Sequence, residues 1–463
     1  MLKSFFGDRA FYRRLLTLAL PIMVQNGITN FVNMLDNVMV GRVGTLEATG
    51  VTVANQLIFV FSLCVFGAVS GAGIFGAQFF GKGDHKGLRD TFRFKLICAL
   101  LIAAAAVSLF YFAGRPLIGL YLRGEGGADA AGKTLAFGYR YLLLMLPGLL
   151  PFAAVQCYSG TLRESNCAAI PMVAGIAAVI TNLCLNYVLI FGHFGAPRLG
   201  VNGAALATVI SRFAELLIIA LWTHLKPREH PFIVGAFRSL RVPLPLVRQI
   251  LRKGLPLMFN EAFWSLGVAF LNQCYSVRGQ SVVFAVGISQ TFFNVFSVAF
   301  MSVGVSVGII LGQMLGMGDR AGARAASRKM TTFSFLVGVG VALLFTLFSG
   351  LIPRFYNTTD AIRAMAASFM RVAALLMPID AVANATYFTL RSGGKAFLTI
   401  LFDSCFMWAV TVPIAFVTSR FTALPILAIF ALCQATTLLK AVIGVALVEK
   451  GIWIRTIVGE TAA

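Results

Sequence analysis

The sequence predicts an all-α membrane protein with twelve transmembrane helices in two six-helix lobes related by pseudo-two-fold symmetry. Of its 463 residues, 59% are hydrophobic and only 12% are charged, about half the charged fraction of a soluble protein. The mean hydropathy is +0.86. Apolar runs of about 20 residues or more recur along the chain, and each is long enough to cross ~30 Å of hydrocarbon.

An internal repeat predicts the two lobes. A shift of 235 positions (256 − 21) places residues 255–258 on residues 20–23, and the segment Gln313–Arg328 on Gln78–Arg93. Each copy has six apolar runs, an even number, so both copies have the same orientation in the membrane. Duplications of this kind are typical of transporters that move a solute through a cavity between two bundles.

The spans follow in order from the apolar runs. In the first copy we predict spans at 15–40, 52–77, 94–121, 135–160, 168–192 and 200–225. In the second copy we predict spans at 249–275, 285–312, 330–353, 363–390, 396–420 and 423–448. The predicted division is therefore an N-terminal lobe at 1–225, a proline-containing cytosolic linker at 226–248 and a C-terminal lobe at 249–463.

Basic residues indicate the orientation. They concentrate in alternate loops, for example between residues 82 and 95, 226 and 253, and 320 and 329. The positive-inside rule then predicts a multi-pass protein of the plasma (inner) membrane with both termini cytosolic. The net charge of +21 is explained by these loops, so we expect no nucleic-acid partner.

Cysteine and histidine offer no metal or cofactor site. The eight cysteines are scattered without a CxxC pair, and the four histidines form no HExxH or similar cluster. We interpret the cysteines as small buried apolar side chains. No cofactor is expected, and an enzyme is disfavoured because no cluster of nucleophile, base or metal ligands is present.

Five acidic residues lie inside the predicted spans, where an isolated charge is costly. Asp36, Glu261 and Asp380 have no basic residue within four positions, and we predict that they couple transport to an ion. Two others have structural interpretations. Glu215 lies three residues after Arg212 and can be neutralised by it. Asp403, near the cytosolic start of its span, is predicted to be solvated or paired with Lys395.

Proline and asparagine add further candidates. Pro21, Pro256 and Pro378 lie in the spans that carry these three acids, where each removes a helix hydrogen bond and can bend its helix. The asparagines proposed to bind substrate or a cation are Asn182, Asn186, Asn37 and Asn260. For Asn182 and Asn186, interhelical hydrogen bonding is an equal alternative.

At this point the chain resembles the MATE (multidrug and toxic compound extrusion) transporters. The matching segments are Leu20-Pro21, Leu35 to Gly41, Gln78 to Asp84 with its repeat at Gln313 to Asp319, Gly254-Leu255-Pro256 with Asn260-Glu261, and Asp380 to Gly394. The resemblance implies antiport, in which H⁺ or Na⁺ enters as a drug-like, often cationic, solute leaves. Asp36 matches an acidic position linked to protonation, whereas Glu261 and Asp380 match positions linked in some members to Na⁺.

The sequence therefore predicts a monomeric secondary exporter of organic solutes in the lipid bilayer. One alternative is a flippase of lipid-linked saccharide or another amphiphile, which would need an arginine-lined cavity. Arg212 is the one arginine we place clearly inside a span of the first lobe, which argues against this alternative. A channel or a membrane-embedded enzyme is the second alternative, but a channel would not need two bending lobes.

Overall fold

Within the residues that the structure describes, twelve helical segments are long and apolar enough to cross a membrane. The computed structural model describes residues 5–41, 45–121, 128–356 and 358–458, without the side chains at 33–38, 41, 45, 121, 128–130 and 280. About 86% of the chain is helical, and no strand occurs in these ranges. The predicted all-helical, twelve-span fold class is confirmed.

Seven α-helices form the first six spans. They are α1 (Arg9–Gly41), α2 (Thr45–Lys82), α3 (His85–Tyr121), α4 (Ala128–Met145), α5 (Leu149–Glu164), α6 (Ala169–Phe191) and α7 (Val201–Leu225). A 3₁₀ turn at Leu146–Gly148 joins α4 to α5 within one span. Pro147 lies in this turn, where its missing N–H prevents a regular α-helical hydrogen bond.

Seven more α-helices form the remaining six spans. They are α8 (Leu244–Ser276), α9 (Gln280–Gly316), α10 (Arg320–Phe348), α11 (Asp360–Ser392), α12 (Ala396–Ile400), α13 (Val412–Phe421) and α14 (Ile426–Glu449). Two π-helical segments, Leu401–Cys405 and Met407–Thr411, connect α12 to α13 within one span. Pro413 follows them and has no N–H to donate to the preceding turn, which favours a wider helix there.

The chain divides into two compact units. The unit that we call the C-terminal unit comprises Met1–Met23, Ala77–Asp84 and Arg248–Ala463, and the N-terminal unit comprises Val24–Gly76 and His85–Val247. The core of the C-terminal unit is built from α8, α9, α10, α11, α13 and α14. Phe369 and Phe430 stack within it with ring centroids 4.7 Å apart. The predicted division at 1–225, 226–248 and 249–463 stays a prediction.

The repeated turn after α2 and after α9 has the same backbone conformation in both copies. Gly83 has φ +76° and Gly318 has φ +82°, a left-handed conformation that glycine adopts without steric cost. The amides of Asp84 and Asp319 each donate to a carbonyl five residues earlier, at 2.9 and 3.0 Å, which is the Schellman pattern that ends helices. The repeated glycine therefore terminates the preceding helix in each copy.

The same motif brings two helices into close contact inside the C-terminal unit. A Cβ on Gly81 would lie 2.0 Å from the carbonyl oxygen of Gln313, and a Cβ on Gly316 would lie 2.0 Å from that of Gln78. The end of α2 and the end of α9 thus pack backbone against backbone in a reciprocal manner. Only glycine fits at these two positions.

We expect Gly81→Ala to lower the free energy of unfolding by about 1–3 kcal/mol, because the added methyl group forces the two backbones apart. Thermal unfolding of the purified protein in detergent measures this effect. The matched control is Gly340→Ala in α10, where a Cβ would meet no atom within 4 Å. Equal stability of the two variants would contradict the close contact.

Part of the connection after α7 packs on α3 in the N-terminal unit. Phe232 is fully buried, and its ring centroid lies 5.3 Å from that of Phe92. Arg93 donates to the carbonyls of Gly235 and Ala236 at 2.6 and 2.8 Å. This part of the connection is therefore held against its own unit by apolar contact and by charged donors.

His230 gives this connection a pH dependence. Burial lowers the pKa of the His230 imidazole below its usual value, and neither ring nitrogen has a hydrogen-bond partner among the described residues. The pKa of His230 in the folded protein lies below its unfolded value of ~6.5. The neutral imidazole therefore stabilises the packed connection fully above pH ~6.5, and this stabilisation is lost as the pH falls through the folded pKa.

We therefore expect the amides of residues 231–238 to exchange faster at pH ~5.5 than at ~7.5, after correction for the intrinsic exchange rate. Hydrogen exchange read by mass spectrometry measures this difference. In His230→Phe the pH dependence should disappear. A pH dependence that persists unchanged in this variant would remove His230 as its cause.

A buried ion pair joins α3 to α5 in the N-terminal unit. Lys95 is fully buried and Glu164 is 5% exposed, and the Lys95 ammonium lies 2.6 Å from both carboxylate oxygens of Glu164. The prediction that Glu164 lies in a loop is wrong, because α5 extends past the predicted end of its span at residue 160. Lys95 was grouped with the loop bases, but it lies in α3 and is buried. Gly73 and Gly76 make room for the carboxylate, since a Cβ on either would lie within 3 Å of its oxygens.

Candidate functional site

The C-terminal unit contains an internal cavity of about 350 Å³, which is within the size range of small-molecule sites. Residues from α8, α9, α11, the π-helical segments and α14 line it. Its charged lining residues are Glu261, Asp380, Asp403 and Lys440. Aromatic side chains, among them Trp264, Phe293, Phe406 and Phe430, form much of the remaining wall. This combination suits an organic cation, which carboxylates attract and aromatic faces contact.

Glu261 is held by two residues of α11. The hydroxyl of Tyr387 donates to Glu261 Oε1 at 3.0 Å, and Arg391 Nη1 lies 3.5 Å from the same oxygen. Arg391 also donates to the Tyr387 hydroxyl at 3.2 Å. The sequence showed no basic residue near Glu261, but the fold supplies one from another helix. Glu261 therefore has a resident counter-charge.

Asp403 also lines the cavity, and its predicted pairing partner needs correction. Its Oδ1 lies 2.6 Å from the Lys440 ammonium, and its Oδ2 accepts a hydrogen bond from Asn260 at 2.9 Å. The partner is therefore Lys440 on α14 and not Lys395. Asp403 is in the first π-helical segment, a conformation that occurs often at functional sites.

Asn260 supports this acid and is not part of the cavity wall. It is fully buried, and its side-chain oxygen accepts from the hydroxyl of Ser404 at 2.7 Å. Its amide group also lies 3.4 Å from the Tyr387 hydroxyl. The predicted binding role of Asn260 stays untested, but the position of Asn260 is that of a residue that orients Asp403 and Tyr387.

Asp380 is the third carboxylate of the cavity. It lies on α11 two residues after Pro378, and its side chain is hydrogen-bonded to Thr437 of α14. The positive charge of Lys440 also acts on it. Seven residues, about two turns, separate Asp380 from Tyr387, so α11 presents an acid, a phenol and, at Arg391, a base along the same side of the unit.

The other predicted polar residues lie in two places. Asn182 and Asn186 are buried on α6, where Asn186 donates to Asn182 at 3.0 Å and Asn182 donates to Thr208 of α7 at 3.3 Å. This geometry is that of interhelical hydrogen bonding, and a role in binding stays a prediction. The side chains of Asp36 and Asn37 lie outside the described residues.

The predicted helix-bending prolines all lie inside continuous α-helices. Pro21 is in α1, Pro256 in α8 and Pro378 in α11. Their helices are not broken, so any bend at these residues stays a prediction. At Pro378 the neighbouring helix comes close, because a Cβ on Gly338 of α10 would lie 2.8 Å from the Pro378 Cα.

Charged residues inside the N-terminal unit differ from the prediction. Arg212 donates to the carbonyl of Gly148 at 3.4 Å and lies 5.0 Å from the centroid of the Phe152 ring. The positive charges of both Arg212 and Arg163 act on Glu215. Glu215 is therefore compensated by two arginines from different helices, and not by its sequence neighbour alone.

Arg163 also corrects the count of arginines inside spans. It lies within the span Ala131–Glu164, so Arg212 is not the one arginine inside the spans of this half. Arg163 donates to Gln25 Oε1 at 2.5 Å. Arg140 lies in the same span as Arg163, and Arg115 lies in the span His85–Leu120. Several arginines within the spans weaken the sequence argument against an anionic substrate, although Arg163 and Arg212 are engaged with groups of the protein.

These observations define a multi-pass membrane protein with an acidic, aromatic cavity of a size that fits a small organic molecule. Comparison with known families gives the class: the MatE family matches residues 21–188 and 256–417, and the chain belongs to this family. The two matched segments begin 235 positions apart (256 − 21), which is the shift of the internal repeat. The resemblance found in the sequence is confirmed, and the protein is a membrane transporter and not an enzyme.

Individual relatives agree with this assignment. The chain is 25% identical over 422 residues to the probable multidrug resistance protein NorM of Thermotoga maritima, covering 90% of this chain and 87% of that one. It is 29% identical over 398 residues to the probable multidrug resistance protein NorM of Pseudomonas aeruginosa, covering 82% and 77%. The fold matches an outward-facing multidrug resistance MATE transporter of the MOP superfamily with a TM-score of 0.85 at 18% identity, covering 97% and 98%.

Proposed function

We propose that this protein is an ion-coupled antiporter that exports drug-like, cationic organic solutes by alternating access, with H⁺ or Na⁺ as the coupling ion. The observation that carries the proposal is the cavity of the C-terminal unit, where Glu261, Asp380 and Asp403 share one space with several aromatic rings. Relatives named as multidrug resistance proteins support the substrate class.

In the proposed cycle, ion and substrate compete for the same carboxylates. A cationic solute binds from the cytosol by its attraction to the negative charge of Asp380 and Glu261 and by contact with the aromatic wall. An ion that arrives from outside neutralises these acids and removes the attraction, so the solute leaves outward. Antiport requires this kind of competition for the site or for the conformation.

The membrane potential is large enough to drive such a cycle. Each net positive charge that moves inward gains ~2.3 kcal/mol per 100 mV. At ~1.4 kcal/mol per decade this supports a substrate gradient of roughly fiftyfold. We propose Asp36 as a further ion-coupling residue, by its position in α1 after Pro21 and by the family resemblance.

The setting of the transporter follows from the same reasoning. We propose that it functions as a monomer in the plasma (inner) membrane, with both termini in the cytosol, because basic residues concentrate in alternate loops. Its partners are then the lipid bilayer and a small organic substrate. The repeated halves would alternate in opening, as in other duplicated transporters.

A second candidate is the flippase of a lipid-linked saccharide or another amphiphile, favoured by arginines within the spans of the first half, among them Arg163 and Arg212. Their present partners argue against it, because Arg163 is bound to Gln25 and Arg212 to Gly148. A pyrophosphate would have to displace both contacts.

The decisive experiment is ethidium efflux from vesicles that contain the purified protein. A pH gradient is imposed in one set and a Na⁺ gradient in another, with empty vesicles as the control for leak. The proposal predicts that one of the two gradients accelerates efflux. If neither gradient changes efflux, ion-coupled export of organic cations is ruled out for this protein, and lipid translocation becomes the next assay.

A further inference from the structure

The cavity of the C-terminal unit holds positive charge of its own. Two bases compensate two of its three carboxylates: Arg391 contacts Glu261 at 3.5 Å and Lys440 contacts Asp403 at 2.6 Å. Asp380 is the carboxylate left with a neutral partner, Thr437. The other titratable groups that line the space are Tyr275, Tyr387 and Cys433.

Lys440 is placed so that its charge reaches all three acids. It lies on α14 one turn after Thr436 and Thr437, and besides its contact with Asp403 its charge acts on Asp380 and on Glu261. A close helix contact sets this position, because a Cβ on Gly444, one turn further along α14, would lie 2.4 Å from the Thr386 hydroxyl of α11.

We propose that Lys440 is the built-in cation of this cavity, and that it makes the cavity select H⁺ over Na⁺ as the coupling ion. The proposal deepens the proposed antiport by assigning the ion at this site. A Na⁺ ion at Asp380 would share the cavity with the Lys440 ammonium, whose charge acts on Asp380, and would be repelled by it. A proton also meets the charge of Lys440, but it needs only one carboxylate oxygen, whereas Na⁺ needs several oxygen ligands, and the Lys440 ammonium already holds Asp403.

The arrangement of the acids agrees with this assignment. The carboxylates are each held by a protein donor, namely Tyr387, Thr437 and the pair formed by Asn260 and Lys440. A resident ammonium group takes the place that a bound metal cation would occupy beside Asp403.

A purely structural role for Lys440 predicts something different. The Lys440–Asp403 contact joins α14 to the π-helical segment, and a lysine that only joins them would affect stability but not ion selectivity. Replacement by arginine keeps the charge, whereas replacement by glutamine removes it, so the pair of variants separates the two roles.

The test is equilibrium binding of ²²Na⁺ to the purified protein in detergent. The quantity measured is the saturable binding that is lost when Asp380→Asn is introduced into the same protein. We expect no such binding for the wild type or for Lys440→Arg over the Na⁺ range tested. In Lys440→Gln we expect saturable binding at least about tenfold tighter than the limit set by the wild type, since loss of a unit charge that acts on Asp380 is worth more than one decade. The exposed Lys226→Gln serves as the matched control and should behave as the wild type.

Two results would overturn the proposal. One is saturable, Asp380-dependent Na⁺ binding by the wild type, a measurement that does not depend on any variant folding. The other is a folded Lys440→Gln protein that remains as insensitive to Na⁺ as the wild type. Because the assay measures binding at equilibrium, it is independent of whether ethidium efflux, and with it the proposed antiport, succeeds or fails.

Discussion

Asp380→Asn is expected to abolish ion-driven ethidium efflux, reducing the rate at least about tenfold, to the passive leak, because the variant can neither hold a cationic solute by charge nor exchange that charge for an ion. Asp380 is the one carboxylate among the described lining residues that no base contacts directly, so the isosteric amide removes the charge available for coupling. The Thr437 hydroxyl can hydrogen-bond to an amide, and the fold should therefore be kept.

The measurement is efflux from vesicles under the gradient that drives the wild type, with thermal unfolding as the check on folding. Asp360→Asn is the matched control, since Asp360 begins α11 outside the cavity with a side chain that is 95% exposed. Efflux at the wild-type rate by the Asp380 variant would remove this residue from the mechanism. Loss of efflux in both variants would indicate a general effect on α11.

Lys95→Met is expected to lower the free energy of unfolding by about 3–5 kcal/mol, which is the typical cost of breaking a buried ion pair from one side. Glu164 would remain 5% exposed and would lose the ammonium that lies 2.6 Å from both of its carboxylate oxygens. Thr161, which accepts a hydrogen bond from Lys95 at 3.2 Å, would lose its donor as well. Thermal unfolding in detergent measures the loss of stability as a lower Tm.

The double variant Lys95→Met, Glu164→Gln should recover most of that stability, since no buried charge remains. Lys226→Met is the control for an exposed pair, because Lys226 and Glu229 have side chains that are 43% and 59% exposed, and such pairs are worth at most about 1 kcal/mol. A single variant as stable as the wild type, or a double variant no more stable than the single one, would contradict the account of this pair.

Much of the fold was predictable because membrane spans and repeated turns are local properties of a sequence. An apolar run reveals a span without knowledge of its neighbours, and a glycine such as Gly83 or Gly318 marks a helix end through its own backbone conformation. The internal repeat also predicted which helices of the second half correspond to those of the first. Span boundaries were less certain, so Glu164 was placed outside the helix that holds it, and Lys95 was counted with the loop bases although it lies at the edge of a predicted span.

The site was predictable only in part, because its charge pairs join residues far apart in the sequence. Glu261 and Asp380 were found as acids inside spans, and the structure brings both to one cavity. The bases of this site were missed, because only bases within four positions of each acid were considered. Arg391 pairs with Glu261 from another helix, and Lys440 lies 37 residues from its partner Asp403. A search for basic residues inside spans would have found Lys440, which must also have a partner there.

The central claim is that ion and substrate compete for the same carboxylates, and proton release on substrate binding tests it most directly. Ethidium is added to the purified wild-type protein in weakly buffered detergent solution with a pH indicator, and Asp380→Asn is treated identically. The account predicts that ethidium binding releases protons from the wild type and none from the variant. Tight ethidium binding by the wild type without release of protons, and without displacement of Na⁺, would contradict it.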